Sequence, residues 1–155
     1  MKIFLLTHEK EFKRHSNTGN VVARVLGPMA EQLLWQRKNP SKTILETIDC
    51  NDTVLLFNNS EDNCISDISH FENFIILDGT WQEAGKIYNK SPYLKEMKSF
   101  TFKTCNKSQY NLRRNQKEWG LCTAECVIEI LKMKGDNKNA EKIHDAFLLF
   151  IDSMN

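Results

Sequence analysis

The sequence predicts an α/β domain with a largely parallel sheet, on three observations. Short apolar runs (Ile3 to Leu6, Thr53 to Phe57, Phe74 to Leu77) alternate with segments whose apolar residues recur at helical spacing, and strands that alternate with helices favour parallel pairing. Val54-Leu55-Leu56-Phe57 is apolar throughout, as a strand covered on both faces is. The third run ends abruptly in Asp78-Gly79-Thr80-Trp81, and a buried strand delivers its catalytic and binding groups in this way, to the crevice beyond the carboxyl ends of a sheet.

The elements follow in order. Ile3 to Leu6 is an early buried strand leading into a polar loop, His8 to His15, whose two histidines read as exposed. Ser16-Asn17-Thr18-Gly19 opens a helix with Val22, Val25, Leu26 and Met29 on one face. Gly27-Pro28 ends it, because glycine is favoured just past a helix and proline cannot continue the ladder. Met29 to Arg37 predicts a further helical turn or two, and Thr43 to Ile48 a strand before the one at Thr53 to Phe57. Asn58 to Asn63 is a loop. Phe74 to Leu77 is the central strand, and Trp81, Ala84 and Tyr88 place a helix after Gly79 that Ser91-Pro92 stops. Lys98 to Thr104 alternates charged or hydroxyl residues with Phe100 and Phe102, a strand with one wet face. From Leu121 the spacing is helical again, with Ala124, Val127, Ile128 and Leu131 on one side and Glu125 in the first turn, where it suits the dipole. Gly135 ends that helix, and Ile143, Ala146, Phe147, Phe150 and Ile151 form a last amphipathic one.

There are no repeats, low-complexity tracts or linkers, and 155 residues suit one domain over 1–155. A hydrophobic share of 41% with 26% charged residues is that of a soluble globular protein, and no apolar stretch reaches membrane-span length. Four apolar residues after Lys2 are too few for a secretory leader, so the expected location is the cytoplasm. Cys50, Cys64, Cys105, Cys122 and Cys126 are odd in number and scattered, which argues for reduced thiols. Cys122 and Cys126 stand four apart without a nearby histidine, a poor zinc site, so packing is expected of both.

Net charge is only +1, yet residues 82–117 hold nine Lys/Arg against Glu83 and Glu96. Acids gather just before them, from Glu46 to Glu72. Charge runs are commonly solvated faces. The sharper reading is a basic surface beside Asp78, aimed at a polyanion.

Three polar clusters interrupt the scaffold where a strand hands over to a helix: Ser16 to Gly19, Asp78 to Trp81, and Tyr110-Asn111-Leu112-Arg113-Arg114 continuing in Gly120 to Glu125. Singly, each has a plain explanation: a helix cap, a turn, a solvated arginine pair. Together they resemble the DTW-domain family of aminocarboxypropyltransferases, named for the Asp-x-Thr-Trp motif that stands here as Asp78-Gly79-Thr80-Trp81. The resemblance is collinear over nearly the whole chain. Asn17-Thr18-Gly19 follows the first strand, Ser91-Pro92-Tyr93 follows the Asp78 motif, and Tyr110-x-Leu112-Arg113-Arg114 precedes Leu121-Cys122-Thr123-Ala124-Glu125, close to the family's Leu-Ser-Thr-x-Glu.

The resemblance implies a fold related to the SPOUT class, with helices on both faces of the sheet, a C-terminal trefoil knot and bound S-adenosylmethionine. Periodicity alone never shows a knot. It further implies transfer of that compound's 3-amino-3-carboxypropyl group to N3 of a uridine, typically in tRNA, with release of 5′-methylthioadenosine. Related proteins modify a ribosomal RNA pseudouridine. On this basis Asp78, Thr80 and Trp81 are the catalytic candidates. Phe57, Asn58, Leu77, Gly79, Leu112, Arg113, Leu121, Thr123 and Glu125 are candidates for holding S-adenosylmethionine, and Asn17, Thr18, Lys86, Lys90 and Arg114 for RNA.

The chain departs from the family in three places. Many relatives carry an N-terminal cysteine cluster, absent here, so no metal is expected. Of a Pro-Ser-x-Asp-Ala pattern only Ser60 and Asp62 remain, and Cys122 stands where serine is usual.

Uridine N3 is a feeble nucleophile until its proton is removed, and Asp78 is the candidate base. The alternative is that Asp78 caps the following helix and shapes the loop. Trp81 has three readings: against S-adenosylmethionine, against the target base, or in the core. Arg113 and Arg114 suit a carboxylate or a phosphate. Monomer and homodimer both remain open, as do three rivals: a methyltransferase on the same fold, a ribosomal RNA target, and a non-catalytic RNA-binding module.

Overall fold

A computed structural model describes residues 1–57, 67–102 and 121–154. In order these form β1 (Lys2–Thr7), α1 (Glu9–Phe12), α2 (Gly19–Leu26), a 3-10 turn (Gly27–Met29), β2 (Ala30–Leu34), α3 (Lys42–Ile48) and β3 (Thr53–Leu56). There follow β4 (Asn73–Asp78), α4 (Trp81–Asn89), α5 (Pro92–Lys95), β5 (Ser99–Phe100), α6 (Thr123–Met133) and α7 (Asn137–Met154). The five strands make one sheet in the order β2-β1-β4-β3-β5, and every pairing is parallel.

Side chains alternate across a strand, so each central strand feeds two cores. Ile3 and Leu5 of β1, with Phe74 and Ile76 of β4, lie among Val22 and Leu26 of α2, Val127 and Leu131 of α6, and Ile143 and Phe147 of α7. Phe4 and Leu6, with Ile75 and Leu77, lie among Ile44 of α3, Ile87 of α4 and Leu94 of α5. Helices therefore cover both faces, each such aliphatic or aromatic side chain contributing about 1.5–3 kcal/mol when fully buried. Among the described residues no helix is long and apolar enough to cross a membrane. The link from β5 to α6, where the expected knot would close, runs through residues 103–120, outside the described residues.

Two expected elements are of the other kind. Met29 to Arg37 is not helical: after the 3-10 turn, Ala30–Leu34 forms β2 against β1, in register Ile3 with Ala30 and Thr7 with Leu34. Its Glu, Gln and Leu favour helix, and pairing to a buried neighbour overrides so weak a preference. Thr43 to Ile48 is not a strand but α3, whose N-cap Ser41 accepts from the Ile44 amide at 3.5 Å. The β-branched residues misled, whereas the Ser41 cap and the Ile44/Ile48 spacing of four carried the correct signal. Within the polar loop, His8 caps the short helix α1. Ser91-Pro92 does end α4, and α5 starts at once from the same proline.

This topology places a switch point between β1 and β4. From β1 the chain goes by α2 to β2 on one side, and from β4 by α4 and α5 to β5 on the other; α2 and α4 lie on opposite faces. The two departing loops part there, the place where open α/β sheets form a crevice beyond the carboxyl ends of their strands.

Candidate functional site

Asp78 is the last residue of β4, directly opposite Thr7, the last of β1. Its side chain is 0% exposed. The Thr7 hydroxyl donates to Oδ2 at 3.0 Å, Asn17 Nδ2 to Oδ2 at 3.2 Å, and the Thr123 hydroxyl to Oδ1 at 2.7 Å. Asp78's own carbonyl accepts from the His8 amide at 3.0 Å. Thr18 Oγ1 accepts from the Ala124 amide at 3.1 Å, so the loop before α2 also grips the first turn of α6. One carboxylate thus ties together β1, the Ser16 to Gly19 loop, β4 and α6. Buried polar groups are tolerated where they are hydrogen-bonded in this way.

Gly19 is required by this arrangement. Its amide donates to Asn17 Oδ1 at 2.7 Å. A Cβ there would stand 2.7 Å from Asp78 Oδ2 and 2.9 Å from Asn17 Oδ1, closer than real Cβ atoms come.

A second cluster of polar contacts lies where α4 begins. Thr80 caps α4 in a reciprocal box: its hydroxyl accepts from the Glu83 amide at 3.2 Å, and Glu83 Oε1 accepts from the Thr80 amide at 2.9 Å. Arg14 grips the same carboxylate with both terminal nitrogens, Nη1 to Oε1 at 2.8 Å and Nη2 to Oε2 at 3.1 Å. His8 Nδ1 lies 3.6 Å from Glu83 Oε2 and accepts from the Lys10 amide at 3.2 Å. The His8 ring stacks on Trp35, whose Nε1 donates to the Ser91 hydroxyl at 2.9 Å. His8 is therefore buried, contrary to the exposed reading, while His15 is exposed.

Burial lowers the His8 pKa from the ordinary 6.5; the Glu83 charge opposes this, and the Lys86, Lys10 and Arg14 charges add to it. Burial alone would raise the Glu83 carboxyl, but the Arg14 hydrogen bond, the Thr80 amide and the Arg14 and His8 charges outweigh it and hold the carboxyl below 4.5. Both groups are thus depressed in the folded state, so the unfolded chain binds more protons as acid is added. The stability they confer is complete above pH 6.5 and is lost on acidification, first through His8 and then through Glu83 below 4.5. Thermal melts should show a midpoint that falls as pH drops from about 7 to about 4, with the part of the fall just below pH 6.5 reduced in His8→Gln; an unchanged slope in that variant would contradict this assignment.

The remaining candidates fall into groups. Leu77 and Thr123 are buried, while Gly79, Thr80, Leu121 and Glu125 are half-buried. Phe57 stacks on Tyr88 with ring centres 4.2 Å apart. Trp81 is 51% exposed, which removes the core reading. Lys86 is exposed on α4 and Lys90 is exposed at its C-cap. Asn17 and Thr18, expected at the RNA, are both 0% exposed and donate or accept internally, so they build the site rather than face a ligand. Asn58, Leu112, Arg113 and Arg114 lie outside the described residues. Cys122, the N-cap of α6, donates from Sγ to Glu125 Oε1 at 3.3 Å. Burial, and then the Glu125 charge, push its thiol well above the ordinary 9.0, so it is neutral and unreactive.

Sequence reasoning missed Thr7, Glu11, Arg14 and Glu83. Thr80-x-x-Glu83 is a capping-box pattern and marks Glu83 without any structure. Nothing local marks Thr7, whose partner is 71 residues away. A cavity of about 510 Å³ between α3 and α5, beside Thr53, lies at the amino end of the sheet, away from this chemistry.

A model of the DTW domain family matches residues 1–155, the whole chain. No solved structure matches it.

Proposed function

The chain belongs to the DTW domain family, the family of tRNA-uridine aminocarboxypropyltransferases, and from that premise we propose that it transfers the 3-amino-3-carboxypropyl group of S-adenosylmethionine to N3 of a tRNA uridine. The observation that supports this most is the convergence of Thr7, Asn17, Asp78 and Thr123 at the switch point, just beneath Thr80 and the exposed Trp81. A SPOUT-like fold with a C-terminal knot accords with a parallel sheet whose carboxyl edge is met by α6.

Candidate residues just after β3 and in the first turn of α6 have chemistry that suits S-adenosylmethionine. The half-buried Phe57–Tyr88 stack offers an aromatic wall suited to an adenine, and the half-buried Glu125 carboxylate is an acceptor suited to ribose hydroxyls or the amino group. S-adenosylmethionine supplies a sulfonium that activates three carbons, so the product depends on which one faces the nucleophile. In transfer, uridine N3 gives its proton to water and attacks the methionine Cγ, the Cγ–S bond breaks with its electron pair kept by sulfur, and neutral 5′-methylthioadenosine leaves. Presenting Cγ and burying the methyl is a problem of orientation, and good orientation can remove several kcal/mol of barrier. Asp78 serves that orientation here. With 0% exposure and both oxygens accepting from neighbours, it holds the loops that shape the site, and these contacts support the shaping role over that of a base. Exposed Lys86 and Lys90, on the same helical segment as Trp81, suit the RNA: the ammonium groups position phosphates, and the indole stacks on a base.

Chromatography of the small-molecule product tests the reaction type. Incubation with unmodified tRNA and S-adenosylmethionine should release 5′-methylthioadenosine; S-adenosylhomocysteine in its place would identify a methyltransferase.

A further inference from the structure

Arg14 lies between two carboxylates from distant parts of the chain. It donates to Glu11 Oε2 within α1 and bidentately to Glu83 on α4, 69 residues away. The Glu11 side chain is 0% exposed and that of Glu83 11% exposed, whereas Arg14 keeps 37% of its side chain in solvent. A fully buried carboxylate one helical turn from an arginine is costly unless that arginine neutralises it. Bidentate Arg–carboxylate geometry fixes orientation as well as distance. Glu83 is the acid that closes the cap on Thr80, and Trp81 is the first residue of the capped helix. Gly79 is fitted to the same carboxylate: a Cβ there would come within 2.9 Å of Glu83 Cβ.

We propose that Arg14 is a positioning residue for the reaction, holding Glu83 so that the Thr80–Trp81 turn keeps one place over the crevice, with Glu11 as the buried anchor that holds Arg14 in turn. The inference rests on the aminocarboxypropyl-transfer reading for its kinetic consequence, and on geometry alone for its structural one. Arg14 touches no reacting atom; its effect passes through Glu83 and the Thr80 amide. Displacement of a reacting group by as little as 1 Å can cost about 100-fold in rate.

Arg14→Met should lower kcat by about 100-fold while the calorimetric Kd for S-adenosylmethionine changes less than about threefold, because the turn and not the Asp78 floor has shifted. Arg14→Lys keeps a positive charge between the two acids but loses the paired donors, so it should fold and fall between wild type and Arg14→Met in kcat. Amide hydrogen exchange needs no turnover: in both variants exchange should rise at Thr80, Trp81 and Glu83 and stay unchanged through α6. Wild-type exchange at that turn in both variants would overturn the proposal whatever the reaction proves to be. Raised exchange with an undiminished kcat would overturn the catalytic half alone. Should the wild-type protein release no 5′-methylthioadenosine, the reaction fails while the exchange result still decides the positioning.

Discussion

Asp78→Asn is expected to lower transfer by at least about 100-fold while leaving S-adenosylmethionine binding measurable, because it sets a donor against a donor beneath the proposed site and displaces the loops held there. In the wild-type chain Asn17 Nδ2 points at Asp78 Oδ2 at 3.2 Å. An amide at position 78 either opposes its own Nδ2 to that of Asn17 or turns it toward the hydroxyl of Thr123. Either way a buried donor loses its acceptor, at a cost of about 1–3 kcal/mol. The informative companion is the exchanged pair, Asn17→Asp with Asp78→Asn. It reverses the two hydrogen bonds at the Oδ2 position, those from Asn17 and Thr7, and preserves the others: the carboxylate now at position 17 still accepts from the Gly19 amide, and the amide oxygen now at position 78 still accepts from Thr123. Thr7 Oγ1 lies 3.1 Å from the Leu5 carbonyl, to which its hydroxyl can turn while accepting from the new amide. If Asp78 shapes the site, the exchanged pair should recover about a tenth or more of wild-type kcat, a cost no larger than that of a single buried hydrogen bond. No recovery in a folded exchanged pair would return Asp78 to the role of base.

Gly19→Ala is expected to be the most damaging glycine-to-alanine change among the described residues. The added Cβ meets Asp78 Oδ2 at 2.7 Å and Asn17 Oδ1 at 2.9 Å, and both atoms are already held, Oδ2 by Thr7 and Asn17 and Oδ1 by the Gly19 amide itself. Alanine is otherwise the better helix former, by about 1 kcal/mol over glycine, so a neutral position would gain stability from the change. Here crowding should win, lowering stability by a net of about 1–3 kcal/mol and activity by about 100-fold. Gly85→Ala is the control. It lies within α4, and no described atom comes within 4 Å of an added Cβ. Urea melts of both variants measure the difference; equal or raised stability in Gly19→Ala would contradict the tight Asp78 cradle.

Much of this was legible in the chain. The run Phe74 to Leu77 ending in a polar crest marks both the central strand and the candidate site, since burial demands apolar residues and a functional edge demands the opposite. The patterns at α2, α4, α6 and α7 are amphipathic and long enough to read. β2 was not, because an edge strand of Ala, Glu, Gln and Leu owes its conformation to β1 and not to its own preferences. α3 was hidden by β-branched residues that its packing tolerates, although Ser41 announced it. Within the site, Asp78 and Thr80 were visible through their motif. Their partners were not, because Thr7 and Thr123 reach Asp78 across 71 and 45 residues, and Arg14 reaches the Thr80 cap through Glu83 across 69. Such pairings exist only once the sheet is assembled. Asn17 and Thr18 show the converse: polar residues in a loop suggest contact with a ligand, and burial turns them into the fabric that holds Asp78.

The basic stretch after Asp78 has a defined part in α4. Lys86 lies exposed on the helix that Trp81 begins, close enough to the site to act electrostatically on His8, and Lys90 lies exposed at the C-cap of that helix. The same helix carries Ile87 into the core, so it is fixed in place and can present a rigid cationic edge.

Position-resolved mass analysis of nucleosides tests the central claim most directly. Unmodified tRNA incubated with the wild-type protein and S-adenosylmethionine, then digested and mapped, should carry one uridine heavier by an aminocarboxypropyl group at N3, absent from the Asp78→Asn reaction. A methylated nucleoside, or an unchanged tRNA in the presence of bound S-adenosylmethionine, would contradict it.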